Sequence, residues 1–142
     1  MVNVPARLTA GALLGIAGIH VAWGRGSSFP YATTAELSDA VVGNQVVPSP
    51  AACYGVAGLL AVAAGAVAGL PRPDARVRRV VVAGAAAVLA TRAGYGFAGR
   101  TDALVPGSSS ARFRRNDRRV FAPLCALLAA GALMSLRRSR RS

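Results

Sequence analysis

The chain has 142 residues, with 17 arginines and no lysine against five acidic side chains, and carries a formal net charge of +12. In a soluble protein that charge would suggest nucleic acid as partner. Here 54% of the residues are hydrophobic and fall into four stretches almost free of charge, so nucleic acid is excluded and the arginines read as flanks of membrane spans.

The stretches run from Leu8 to Gly24, Ala51 to Leu70, Val80 to Ala98 and Val120 to Leu136. Each has the length that a helix rising about 1.5 Å per residue needs to cross a hydrocarbon core of roughly 30 Å. Arg7 gives the first some signal-peptide character, but no small-x-small cleavage pattern follows Trp23 and His20 is foreign to such segments, so it is read as an uncleaved helix. The loop from Arg25 to Pro50 is too long for a simple connector. Thr33 and Glu36 have capping-box spacing, Leu37, Ala40 and Val41 follow at helical intervals, and Gly43 offers a stop. These predict a short amphipathic helix on the surface, around Glu36 to Val42, and then an extended stretch from Val46 to Pro50. After the third stretch the chain turns at Pro106 and Gly107 and passes three serines. The basic run Arg112 to Arg119 then begins the fourth helix, with Pro123 either in its first turn or kinking it.

Four spans leave little for a soluble domain. The expectation is therefore a single all-α membrane domain over residues 1–142, an integral four-helix bundle with a short amphipathic helix in its first outer loop. With both termini in the cytoplasm, nine arginines lie inside (Arg7, Arg72, Arg76, Arg78, Arg79, Arg137, Arg138, Arg140 and Arg141). Seven lie outside, diluted by Glu36, Asp39, Asp102 and Asp117. The dense, short loop Pro71 to Arg79 strengthens this orientation, in what reads as the cytoplasmic membrane of a bacterium with a GC-rich genome. Lipid gives helices little hydrophobic reason to associate, so small residues should mediate packing. Gly11 and Gly15 on the first helix, Ala61, Gly65 and Gly69 on the second, and Gly84, Ala87, Thr91 and Gly94 on the third have that spacing.

The residues able to do chemistry gather at one pole. His20 and Trp23 share a face, with His20 roughly 6 Å below the helix end; Arg92 lies at a comparable depth in the third span, with Tyr95 one turn above it. An ionisable side chain within a span turns to the bundle interior or a wet cavity. The expected ligand-binding set is His20, Trp23, Arg92, Tyr95, Asn116, Asp117 and Arg118, of which all but Tyr95 should face a common cavity partly covered by the loop helix. Each has a plainer reading: Arg92 snorkelling to pair with Asp102 or Asp117, His20 as a hydrogen-bonded bundle residue, and Trp23 and Tyr95 in an aromatic belt. Cys53 and Cys125 read as apolar thiols, with a disulfide left open, and no metal-ligand spacing is present. The outer arginines from Arg112 to Arg119 either touch lipid headgroups or fold over the pole to join Arg92 in a carboxylate or phosphate site.

Taken in order, His20 and then Trp23, a proline-containing approach to the second span, Arg92 with glycines late in the third, and Asn116, Asp117, Arg118, Arg119, Phe121, Pro123, Leu124 and Cys125 form a recognisable series. It resembles a bacterial family of small four-span membrane proteins known as domain of unknown function 3995, over nearly the whole chain. The resemblance implies a membrane location and four helices, and no activity.

The chain holds no complete catalytic set: no activated Ser or Cys, no paired intramembrane carboxylates, no Gly-rich phosphate loop. The favoured reading is a non-enzymatic membrane protein that binds a small amphiphile, an anionic lipid or another anion in an outer-facing pocket, or serves as an accessory subunit. A second is a redox protein for quinone or haem using His20, although a lone histidine gives one axial ligand per chain and bis-histidine haem would need a dimer. A third is a transporter subunit with Arg92 on its pathway, for which four short spans argue for oligomerisation, a homo-oligomer among the options. No cofactor is specified.

Overall fold

The computed structural model describes residues 4–70 and 74–138. Its helices are α1 (Val4–Gly24), α2 (Thr34–Val41), α3 (Pro50–Ala68), α4 (Ala75–Ala98), α5 (Ala111–Asn116) and α6 (Ala122–Arg138). A 3-10 turn spans Thr101–Ala103, a π turn at Asp117–Phe121 joins α5 to α6, and no strand occurs among the described residues. Helices α1, α3 and α4 and the continuous α5–α6 rod, Ala111–Arg137, are each long and apolar enough to cross a membrane. The chain is an all-helical multi-pass membrane protein.

Two helices start earlier than the apolar runs predict, α1 at Val4 and α4 at Ala75, while the rod starts at Ala111 with the basic run opening it, as the sequence predicts. For α4 and the rod the physical reason for the starting point is capping. Asp74 accepts from the backbone N–H groups of Arg76 and Val77, and Ser110 accepts from that of Phe113. The hydrogen-bond ladder therefore begins inside the basic flank, while hydropathy marks only the part that meets hydrocarbon.

The helices form an up-down-up-down ring in which α1 packs on α3 and on α6, and α4 on α6 and on α3. Leu13, Val67, Val82 and Leu128 fill the centre among Ala6, Ala10, Ala64, Ala86 and Ala132. Larger residues point the other way: Leu8, Leu59, Val80, Val88 and Leu127 are each about 70% exposed. So much outward apolar surface would be a liability in water and is expected in lipid.

The small-residue stripes are largely not the seams. Gly11, Gly15, Gly84 and Gly94 have nothing within 4 Å of an added Cβ, and Ala87 and Thr91 are exposed. Buried alanines make most of the helix contacts, with close approaches at Gly131 against Thr9, Gly24 against Tyr54 and Gly96 against Ala122. At the pole holding the termini, Arg78 donates through Nε to the carbonyl of Ala66 at 2.8 Å and through Nη2 to those of Val67 and Ser135 at 3.4 Å. A cation there satisfies orphan carbonyls at the ends of α3 and α6 and complements their dipoles. Of the arginines counted to that side, Arg72, Arg140 and Arg141 lie outside the described residues.

Candidate functional site: a cavity under the loop helix

The opposite pole carries both long loops, and they are fastened to each other. Helix α2 begins as its sequence predicts: Thr33 Oγ1 accepts from the backbone N–H of Glu36 at 3.2 Å. The reciprocal bond is shifted by one residue, with the Glu36 carboxylate accepting from Ala32 N–H. At its other end Gly43 adopts φ +85°, and an added Cβ would stand 2.7 Å from the Phe113 ring, so glycine is required on both counts. The carbonyls left open by the last turn of α2 are met from the second loop. Ser110 Oγ donates to Asp39, Asn116 Nδ2 to Ala40 and Ser108 Oγ to Val42, while the backbone N–H groups of Ser109 and Ser110 both donate to Gly43. The serines thus act as a clasp holding α2 against α5, with Phe113 buried between them.

Beneath the clasp lies an ion pair. Arg92 Nη2 meets Asp117 Oδ1 at 2.7 Å, with the Asp117 side chain 3% and that of Arg92 26% exposed. Thr101 Oγ1 donates to the other carboxylate oxygen. The π turn presents Asp117: Ala122 N–H bonds back to the Asp117 carbonyl, and Pro123, next in line, has no N–H to continue the ladder. Gly96, one turn above Arg92, leaves room for this meeting, since a Cβ there would stand 2.7 Å from Ala122 Cβ and 3.1 Å from both Arg92 Nη1 and Asp117 Oδ1.

Beside the pair is a cavity of about 390 Å³. Leu37 and Val41 of α2 and Val42 just after it roof the cavity, Ala52, Cys53 and Val56 of α3 form one wall, and His20, Trp23, Arg92, Thr101 and Phe113 are among the residues that close the rest. The His20 and Trp23 rings lie 4.9 Å apart, tilted by 58°. Trp23 Nε1 donates to the Phe29 carbonyl at 2.7 Å. His20 Nδ1 sits 2.9 Å from the Ile16 carbonyl, which can only accept, so Nδ1 carries hydrogen and Nε2 remains for another partner. Arg92 Nη1 is buried with no hydrogen-bond partner among the described residues. Apolar walls with a few convergent polar groups suit a small ligand.

The expected set divides. His20, Trp23 and Arg92 line this cavity together. Asp117 does not line it and acts through Arg92; Asn116 is spent on the clasp. Arg118 turns to a separate hollow with Arg114, Arg115 and Arg119, and Tyr95 to a shallow recess on the outward face of α4. The arginine run therefore does not join Arg92. Cys53 and Cys125 are both free thiols, and no group of three His, Cys, Asp or Glu side chains among the described residues could share a metal ion. Sequence reasoning missed Thr101 and the roles of Ser108 and Ser110, whose partners lie 16, 66 and 71 positions away and leave no local signal.

The family model for Protein of unknown function (DUF3995) matches residues 13–132, and the chain belongs to that family. No curated protein and no solved structure matches it.

Proposed function

We propose that the protein is a non-enzymatic binder of a small amphiphile, held in the cavity under α2 with its polar head on Arg92 and its apolar body against α2 and α3. The observation that carries this reading is Arg92, a guanidinium lining a largely apolar cavity, whose Nη1 is a buried donor with no hydrogen-bond partner among the described residues. Such a donor is costly unless a partner meets it. Because Asp117 already neutralises the guanidinium, a second full charge would be poorly compensated at low dielectric. The head is therefore a neutral hydrogen-bond acceptor, a carbonyl or hydroxyl, rather than an anion. In the membrane we place both termini in the cytoplasm and the cavity at the outer surface of the bacterial inner membrane, supported by the basic Asp74–Arg79 end of α4 and Arg137 at the termini pole.

Trp23 is the sole tryptophan and lines the cavity, which makes it a reporter. A brominated medium-chain fatty alcohol should quench its emission saturably in detergent-solubilised protein, and Ala52→Phe, which fills the wall, should abolish saturation. Quenching that is unsaturable, or unchanged by Ala52→Phe, would discard the cavity as the binding place.

A quinone is the second reading, favoured by His20 and Arg92 lining one cavity, with His20 Nε2 left over from the bond to Ile16. Saturable quenching by a short-chain quinone that exceeds that by the alcohol and is lost in His20→Phe would select it.

A further inference from the structure

We propose that the hollow between the end of α4 and the basic turns of the α5–α6 rod is a second, independent site, which binds the phosphate of an anionic phospholipid headgroup. It measures about 420 Å³ and is lined by Ala98, Gly99, Arg114, Arg115, Arg118 and Arg119. Two neighbouring cations at this pole are occupied: Arg92 by Asp117, and Arg112 by the Tyr31 ring, 5.0 Å from its centroid. These four have no ion pair among the described residues, because the one nearby buried carboxylate, Asp117, turns inward to Arg92 and Thr101.

Left alone, the arrangement opposes helix formation. Arg114 and Arg118, and Arg115 and Arg119, are like charges at i,i+4, and Arg114 and Arg115 fall in the first turns of the rod, at the positive end of its dipole. A phosphate among them relieves both effects and matches guanidinium geometry. Gly99, at φ +67°, lets Arg118 Nη2 approach to 3.1 Å of where a Cβ would be, so the hollow closes against backbone.

Its place in the fold selects lipid over a soluble anion. Ala98 is the last residue of a membrane-crossing helix, and Phe97 and Val120, 48% and 54% exposed, present apolar surface beside the hollow where acyl chains would run. Anionic headgroups held by basic residues at a span end are the corresponding chemistry.

The test uses the full chain in mixed micelles of phosphatidylglycerol and phosphatidylcholine, with retained lipid read by native mass spectrometry. The parent should retain phosphatidylglycerol preferentially, and inorganic phosphate in excess should not displace it. Two independent double variants, Arg114→Gln/Arg115→Gln and Arg118→Gln/Arg119→Gln, should each lower the preference by about fivefold per guanidinium removed. Arg76→Gln/Arg79→Gln, an equal charge change on exposed residues at the other pole, should leave it intact. An equal loss in the Arg76/Arg79 variant, no preference in the parent, or displacement by inorganic phosphate would each overturn the assignment.

Discussion

Arg92 on α4 and Asp117 in the π turn, 25 positions apart, form an ion pair at 2.7 Å that is the only one among the described residues. It ties α4 to the rod at the level of the cavity. Removing one partner leaves the other uncompensated. Arg92→Leu should therefore destabilise the protein by about 3–5 kcal/mol. Arg92→Leu/Asp117→Leu should lose less than the two single changes added together, because residues in one network couple. Unfolding titrations in micelles across the four proteins measure this; strict additivity would mean that the pair contributes no coupling.

Gly96 and Gly84 lie on the same helix and test what the bundle reads as a seam. An added methyl at Gly96 meets Ala122 and both members of the ion pair, whereas one at Gly84 meets nothing within 4 Å. Gly96→Ala should cost about 1–3 kcal/mol through overpacking. Gly84→Ala should be neutral or stabilising by up to about 1 kcal/mol through helix propensity. The same unfolding measurement decides. A strong loss at Gly84 would reveal that a second chain covers that face.

The clasp gives a third expectation. Ser110 Oγ both accepts from Phe113 N–H and donates to the Asp39 carbonyl, so it caps α5 and holds α2 with one atom. Ser110→Ala should cost about 1 kcal/mol globally. It should act more strongly on the roof, seen as faster proteolysis between Arg25 and Pro48 and a red shift of Trp23 emission. Unchanged proteolysis would show that Phe113 packing alone holds α2 in place.

Features with local physical causes were legible in the sequence. Four apolar runs gave four spans, Thr33 and Glu36 gave the start of α2, Gly43 its end, and the 3.6-residue period put His20 and Trp23 on one face. Arg92 was recognisable as needing a partner, and Asp117 was among the candidates, but choosing it over Asp102 required the π turn. The stripes of Gly11, Gly15, Gly84 and Gly94 misled because helical spacing tells which small residues share a face and not whether another helix covers it. The arginine run left two readings open, headgroup contact or a site shared with Arg92, for a similar reason. Its spacing does not reveal that Asp117 turns inward while Arg114, Arg115, Arg118 and Arg119 turn to Gly99.

Orientation in the membrane decides which compartment the cavity serves. Arginines stand at both poles, so the bias is small by number, and the dense short loop before α4 is what tips it. In a background of Cys53→Ala/Cys125→Ala, a cysteine in place of Ser142 should resist an impermeant maleimide applied to intact cells. One in place of Ser109, exposed at the cavity pole, should react. Permeabilised cells should label both, which controls for folding around either site. The reverse pattern would turn the cavity to the cytoplasm. The arginine hollow, at the same pole, would then face the inner leaflet, where its positive charge would agree with the usual bias instead of opposing it.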